Sequence, residues 1–137
     1  MNNDEHTLDL ILASDPSKLD WLVNKVEAFL QERIDDEEFI YQVVLLTSES
    51  VTNGMEHGNE FDADKKVFVS LRVFTTYVQL RVSDEGAGFD RADVVDPLKE
   101  DSLMLDGGRG LFLIEQMADS VVYEDGGRTV IMRIKRS

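Results

Sequence analysis

Hydrophobic and polar positions along the chain change their period several times, and each change marks a predicted element. Leu8-Asp-Leu-Ile-Leu-Ala13 alternates and predicts a first strand, placed at the edge of a sheet. Ser14-Asp15-Pro16 then supplies a capping side chain followed by proline at a first helical position, where its missing N–H costs nothing. Leu19, Leu22, Val23, Val26, Phe29 and Leu30 follow at helical spacing, so this stripe, with Trp21, is assigned to core or to an interface. Asp35-Asp-Glu-Glu38 places acids where the macrodipole of a second helix favours negative charge. That helix buries Phe39, Val43 and Leu46 and runs on through Glu49 and Asn53. It is expected to end at His57-Gly58-Asn59, with the glycine in the left-handed conformation.

Period two returns after the loop Asp62-Ala-Asp-Lys-Lys66. Val67, Val69, Leu71 and Val73 alternate with polar or outward positions, and Val78, Leu80 and Val82 repeat the pattern after a break at Thr75-Thr76-Tyr77, predicting an antiparallel hairpin. Its second strand runs into Asp84-Glu-Gly-Ala-Gly-Phe89, with Asp84 in step with the inward set. Residues 90–106 show no clean period and read as a long connection of the kind that forms lids. Gly107-Gly-Arg-Gly110 then opens a short helix carrying Leu111, Ile114 and Ala118. Val121-Val-Tyr-Glu124 and Thr129-Val-Ile-Met-Arg-Ile134 close the chain around an Asp125-Gly-Gly127 turn. The predicted fold class is an α/β (α+β) two-layer sandwich, mainly an antiparallel sheet with helices on one face, in one domain spanning residues 1–137. The other face needs a cover or a partner.

The second helix breaks the expected rule for a core element. Glu49, Asn53 and Glu56 or His57 recur at i, i+4 and i+7 or i+8, so a carboxylate, an amide and a further polar group share one stripe. Something polar must face them.

Bulk properties narrow the partners. Lys and Arg number 14 against 28 Asp and Glu, a formal charge of -14, which disfavours direct nucleic-acid binding and favours a basic protein partner or simply solubility. No segment approaches the roughly eighteen unbroken apolar residues of a membrane span. The acidic, polar first six residues carry no signal-peptide pattern. Cysteine is absent, which excludes disulfides and cysteine-metal sites and fits a reducing, cytoplasmic setting.

Three separated features point to one ligand: the polar helix stripe, an acid with two glycines after a strand, and a glycine-rich turn opening a helix. A helix N-terminus preceded by glycines offers unpaired N–H groups and a positive dipole to phosphate oxygens. Neither glycine set is a Walker A loop or a Rossmann fingerprint. An Asn oxygen together with phosphate oxygens and water can complete the shell of Mg2+. A carboxylate one turn earlier can accept a proton from an attacking hydroxyl or water.

Glu49-Ser-Val-Thr-Asn53 with His57-Gly58, Asp84-Glu-Gly-Ala-Gly88 and Gly107-Gly-Arg-Gly-Leu-Phe-Leu113 resemble, in order and separation, the N, G1 and G2 boxes of the GHKL ATPase superfamily. Within it the chain most resembles the small anti-sigma factor serine/threonine kinases, over about Leu8 to Ile134. The resemblance implies a Bergerat-type ATP-binding fold with ATP and Mg2+ as cofactors. It implies Glu49 as the general base, Asn53 as the Mg2+ ligand and Asp84 as the acid that hydrogen-bonds the adenine amino group. Gly86 and Gly88 would flank base and lid, residues 90–106 would form the ATP lid, and Gly108 and Gly110 would contact phosphate, with Arg109 and Leu111 beside them. The implied substrate is a serine or threonine of an anti-sigma factor antagonist, and the implied second partner is a sigma factor. The family is also compatible with a homodimer through the first strand or first helix.

Alternatives stay open at this level. Asp84 could cap a turn, His57 could orient the helix end, and Arg109 could either neutralise phosphate charge or pair with Asp106. An ATP-binding regulatory module that docks a partner without phosphorylating it is the competing function.

Overall fold

The computed structural model describes residues 6–86 and 116–136. Five antiparallel strands among them form one sheet: β1 (His6–Ala13), β2 (Lys66–Val73), β3 (Tyr77–Asp84), β4 (Ser120–Glu124) and β5 (Thr129–Lys135). Their spatial order is β1-β2-β3-β5-β4, so β1 is an edge strand, as expected. Period two decides which side chains are inward. Leu12 pairs with Val67, Val69 with Val82, Leu71 with Leu80, and Leu80 in turn with Met132, and all of these are buried. The opposite face carries Ile11, Phe68 and Val122, exposed among polar and charged neighbours.

The inward face is covered by α1 (Leu19–Gln31) and α2 (Glu37–Asn53). Asp15 caps the short 3-10 turn that leads into α1, its Oδ1 accepting from the Ser17 N–H at 2.9 Å, and Pro16 begins that turn as expected. Leu22, Val26 and Leu30 of α1 are fully buried, whereas Trp21 stays 42 % exposed with the Lys25 ammonium 6.0 Å from its ring centroid. Asp36 caps α2 by accepting from the Phe39 N–H at 3.1 Å. Phe39, Val43 and Leu46 then join the core.

The predicted left-handed glycine at the end of α2 is corrected. The helix widens into a π-turn over Gly54–Gly58, closed by the Asn59 N–H donating to the Gly54 carbonyl at 2.8 Å. Positive φ falls on Glu60 (53°) and Phe61 (57°) and not on Gly58. The wide turn also shifts the helical phase, so Glu56 and His57 do not continue the stripe of Glu49 and Asn53 in ideal register. The β4–β5 connection does use left-handed backbone, at Asp125, Gly126 and Gly127. Most of the predicted third helix, the Gly107–Gly110 turn and residues 90–106 lie outside the described residues. Met117 and Ala118, at the end of that segment, pack against the core.

Candidate functional site

Residues 47–53 of α2 are polar for two different reasons. Thr47 Oγ1 donates to the Val43 carbonyl at 2.8 Å, Ser50 Oγ to Leu46 at 2.7 Å and Thr52 Oγ1 to Ser48 at 2.7 Å. Each hydroxyl is therefore satisfied by its own helix, which lets Thr47 and Ser50 be buried beside Leu46 and Val51. Glu49 and Asn53 have no such bond among the described residues. Asn53 is half-buried, and its enclosed Nδ2 has no hydrogen-bond partner among the described residues. Such an orphan costs about 1–3 kcal/mol, and a ligand oxygen is the natural group to remove that penalty.

Asp84 ends β3 on the inward side and reaches the end of α2. The approach is possible only because small residues line it. A Cβ added to Gly54 would meet the Asp84 Cβ at 3.6 Å and the Val67 methyls at 3.6 and 3.7 Å, ordinary contact, but one added to Gly58 would stand 2.5 Å from both carboxylate oxygens. One on Gly86 would fall onto the Gly58 carbonyl, 2.8 Å from its Cα. Gly58 and Gly86 are thus required for close packing of a helix end on a strand end, a use of glycine distinct from positive φ.

The Asp84 carboxylate is held on one side only. Its Oδ1 accepts from the Gly86 N–H at 2.8 Å, and among the described residues its other oxygen has no protein donor. Burial pushes its pKa above the ordinary carboxylate range, outweighing the Gly86 N–H and the nearby Arg128 and Lys65 charges, while Asp125 adds to the rise. A half-buried acid with one oxygen uncommitted suits recognition of a polar hydrogen-bond donor. Asn53 and Asp84 are brought to one region because Gly54, the residue after Asn53, packs on the Asp84 Cβ.

Two residues that the periodicity did not single out complete the frame. Arg128 donates from Nε to the Gly86 carbonyl at 2.7 Å, and its own carbonyl accepts from the Asp84 N–H at 2.9 Å. Asn59 accepts from the Glu85 N–H at 2.8 Å. Asn59 follows the glycine expected to end the helix and read as punctuation, and Arg128 follows a glycine turn and was not singled out. His57 is exposed and lies 3.6 Å from Glu56. Gly88, Gly108, Arg109, Gly110 and Leu111 lie outside the described residues.

An antiparallel sheet with helices on one face, an amide-bearing helix stripe and an acid–glycine turn at a strand end together define a nucleotide-binding sandwich of the Bergerat type. The chain belongs to the histidine kinase-like ATPase family, whose domain model matches residues 12–134. Among curated proteins it is similar to the serine-protein kinase RsbW of Listeria innocua serovar 6a, 35% identical over 102 residues, covering 69% of this chain and 65% of that protein. It is also similar to the RsbW of Bacillus licheniformis, 33% identical over 106 residues (68% and 62%), and of Staphylococcus epidermidis, 29% over 96 residues (64% and 60%). The matched region thus spans somewhat less than two thirds of these relatives' own length.

The donor set fits the ligands that this family implies. An asparagine amide offers oxygen to a cation and N–H to a phosphate oxygen, which matches a buried amide without a protein partner. Among the described residues no group of three or more His, Cys, Asp or Glu forms a metal cage. Mg2+ rarely uses such cages and is commonly held by one or two protein groups plus phosphates and water. Among the described residues no helix is long and apolar enough to cross a membrane.

Proposed function

We propose that this protein is an ATP- and Mg2+-dependent serine/threonine protein kinase of the anti-sigma factor type, which phosphorylates an anti-sigma factor antagonist and sequesters a sigma factor. The observation that carries the proposal is the convergence of the Asn53 amide, with its orphaned Nδ2, and the half-committed Asp84 carboxylate at the end of α2. Similarity to proteins named as serine-protein kinases supplies the reaction class.

In this reading Asp84 would accept from the adenine amino group, and Asn53 would hold Mg2+ or a phosphate oxygen. Bound Mg2+ would neutralise charge on the phosphates during transfer. Glu49, one turn before Asn53, accepts the proton of the attacking serine or threonine hydroxyl. Gly86 gives the backbone donor that orients Asp84. Gly88, Gly108, Arg109, Gly110 and Leu111 are proposed to complete the lid hinge and the phosphate cradle. Little covalent chemistry is asked of the protein, since phosphoryl transfer is carried mainly by positioning and charge stabilisation.

The test is incubation with labelled ATP, Mg2+ and a candidate antagonist from the same genome. Transfer by the parent chain, and none by Glu49→Ala with nucleotide still bound, is the expected result. ATP retention without any transfer would replace the kinase by a regulatory binding module.

A further inference from the structure

The wide turn after α2 ends in Asn59, which is only 1% exposed. Its Nδ2 donates to Ser14 Oγ at 2.7 Å and to the Lys66 carbonyl at 2.9 Å, and its Oδ1 accepts from the Glu85 N–H at 2.8 Å. These partners are the residue after β1, the first residue of β2 and the residue after β3. One amide therefore ties three strand ends to the end of a helix. Both donors and the oxygen are used, so the side chain has no freedom to serve another role.

Its chain position makes this joint more than a staple. Asn59 directly follows Gly58, which faces the Asp84 carboxylate, and Glu85 sits between Asp84 and Gly86. The Asn59–Glu85 bond thus links the neighbours of the two surfaces in closest approach. Glu85 strengthens the same joint by accepting from the Lys66 N–H at 2.7 Å through Oε1. The Ser14 bond, by contrast, reaches to the end of β1, and Ser14 is neither a neighbour of Asp84 in the chain nor a hydrogen-bond partner of its carboxylate.

We propose that Asn59 is a positioning residue for the nucleotide: by fixing Glu85 against the end of α2 it sets where the Asp84 carboxylate stands, and so sets the preference for adenine over guanine. The proposal rests on the reading of Asp84 as the adenine-recognising acid. Guanine carries a carbonyl where adenine carries its amino group, so a well-placed carboxylate accepts from one and repels the other. A carboxylate free to shift discriminates less.

The experiment is titration of the full chain with ATP and with GTP, alongside thermal denaturation, for the parent, Asp84→Asn, Asn59→Ala, Asn59→Ser and Ser14→Ala. Asn59→Ala is expected to weaken ATP binding about 10- to 100-fold, the scale of a misplaced reactive or binding group, and to bring the ATP/GTP ratio towards one. Ser14→Ala removes one of the three bonds and lowers Tm, but keeps ATP affinity and the ratio. Should Asn59→Ala fail to fold, Asn59→Ser, whose single hydroxyl cannot span three partners, carries the same expectation. Asn59 variants that match Ser14→Ala in both nucleotides would reduce the residue to a structural staple and overturn the proposal. A parent chain that does not prefer ATP, or an Asp84→Asn variant that keeps the preference, would instead overturn the adenine reading and this inference with it.

Discussion

Replacing Gly58 by alanine should separate the site from the fold. Gly58 is not among the positive-φ positions, so alanine is conformationally allowed there, and within a helical turn alanine is favoured over glycine by about 0.8–1 kcal/mol. The added methyl, however, would stand 2.5 Å from each Asp84 oxygen, against ordinary contact that begins at 3.4 Å. The carboxylate must therefore retreat by roughly 1 Å, the gap between those two distances. It is the end of a side chain with one oxygen uncommitted among the described residues, so it can move without unfolding the backbone. A hydrogen bond to a charged group contributes about 1.5–3 kcal/mol, and each 1.4 kcal/mol is a factor of ten in Kd, so ATP binding should fall about 10- to 100-fold. Thermal stability should stay near the parent value, because the propensity gain offsets the displacement. Calorimetric titration with ATP beside a melting curve measures both, with Gly54→Ala as the control whose methyl meets only ordinary contacts at 3.6 Å. ATP binding by Gly58→Ala within about twofold of the parent would refute the claim that this contact places the nucleotide-binding acid.

Two stability predictions follow from the same geometry. Burial raises the Asp84 pKa above 3.8, so the folded chain holds that proton more tightly than the unfolded chain; the stabilisation from the protonated acid is complete below 3.8 and lost as pH rises through the folded value. Asp84→Asn should therefore raise the Tm of the nucleotide-free protein at neutral pH, with the gain shrinking as pH falls through the folded value and gone below 3.8; a gain independent of pH would contradict the burial argument. Asn53→Ala removes an orphaned buried donor whose penalty is about 1–3 kcal/mol, so the nucleotide-free variant should denature at equal or higher urea concentration than the parent. A clear drop in the urea midpoint would show that the amide is satisfied in solution.

Much of the fold was legible because its strands bury one face and its helices one stripe. Val67, Val69, Leu71 and Val73 alternate cleanly and are all buried, and Asp15, Pro16 and Asp36 announce the helix starts by chemistry local to a few residues. The strand order was not legible, since alternation says nothing of neighbours and β5 inserts between β3 and β4. The end of α2 was misjudged because a glycine after a helix usually marks positive φ, whereas Gly58 serves the approach of Asp84 across 26 residues of sequence. For the candidate site, Glu49, Asn53 and Asp84 stood out as polar groups where apolar ones were due. Asn59 and Arg128 did not, because their partners are distant in the chain and mostly backbone atoms, which carry no residue pattern.

The central claim, that Asn53 and Asp84 belong to one nucleotide pocket, is tested most directly by titrating ATP into the parent chain, Asn53→Ala and Asp84→Asn, each with and without Mg2+. The expected result is Mg2+-dependent ATP binding by the parent, loss of that dependence and of tight binding in Asn53→Ala, and loss of preference for ATP over GTP in Asp84→Asn. Parent-like binding by both variants would contradict it.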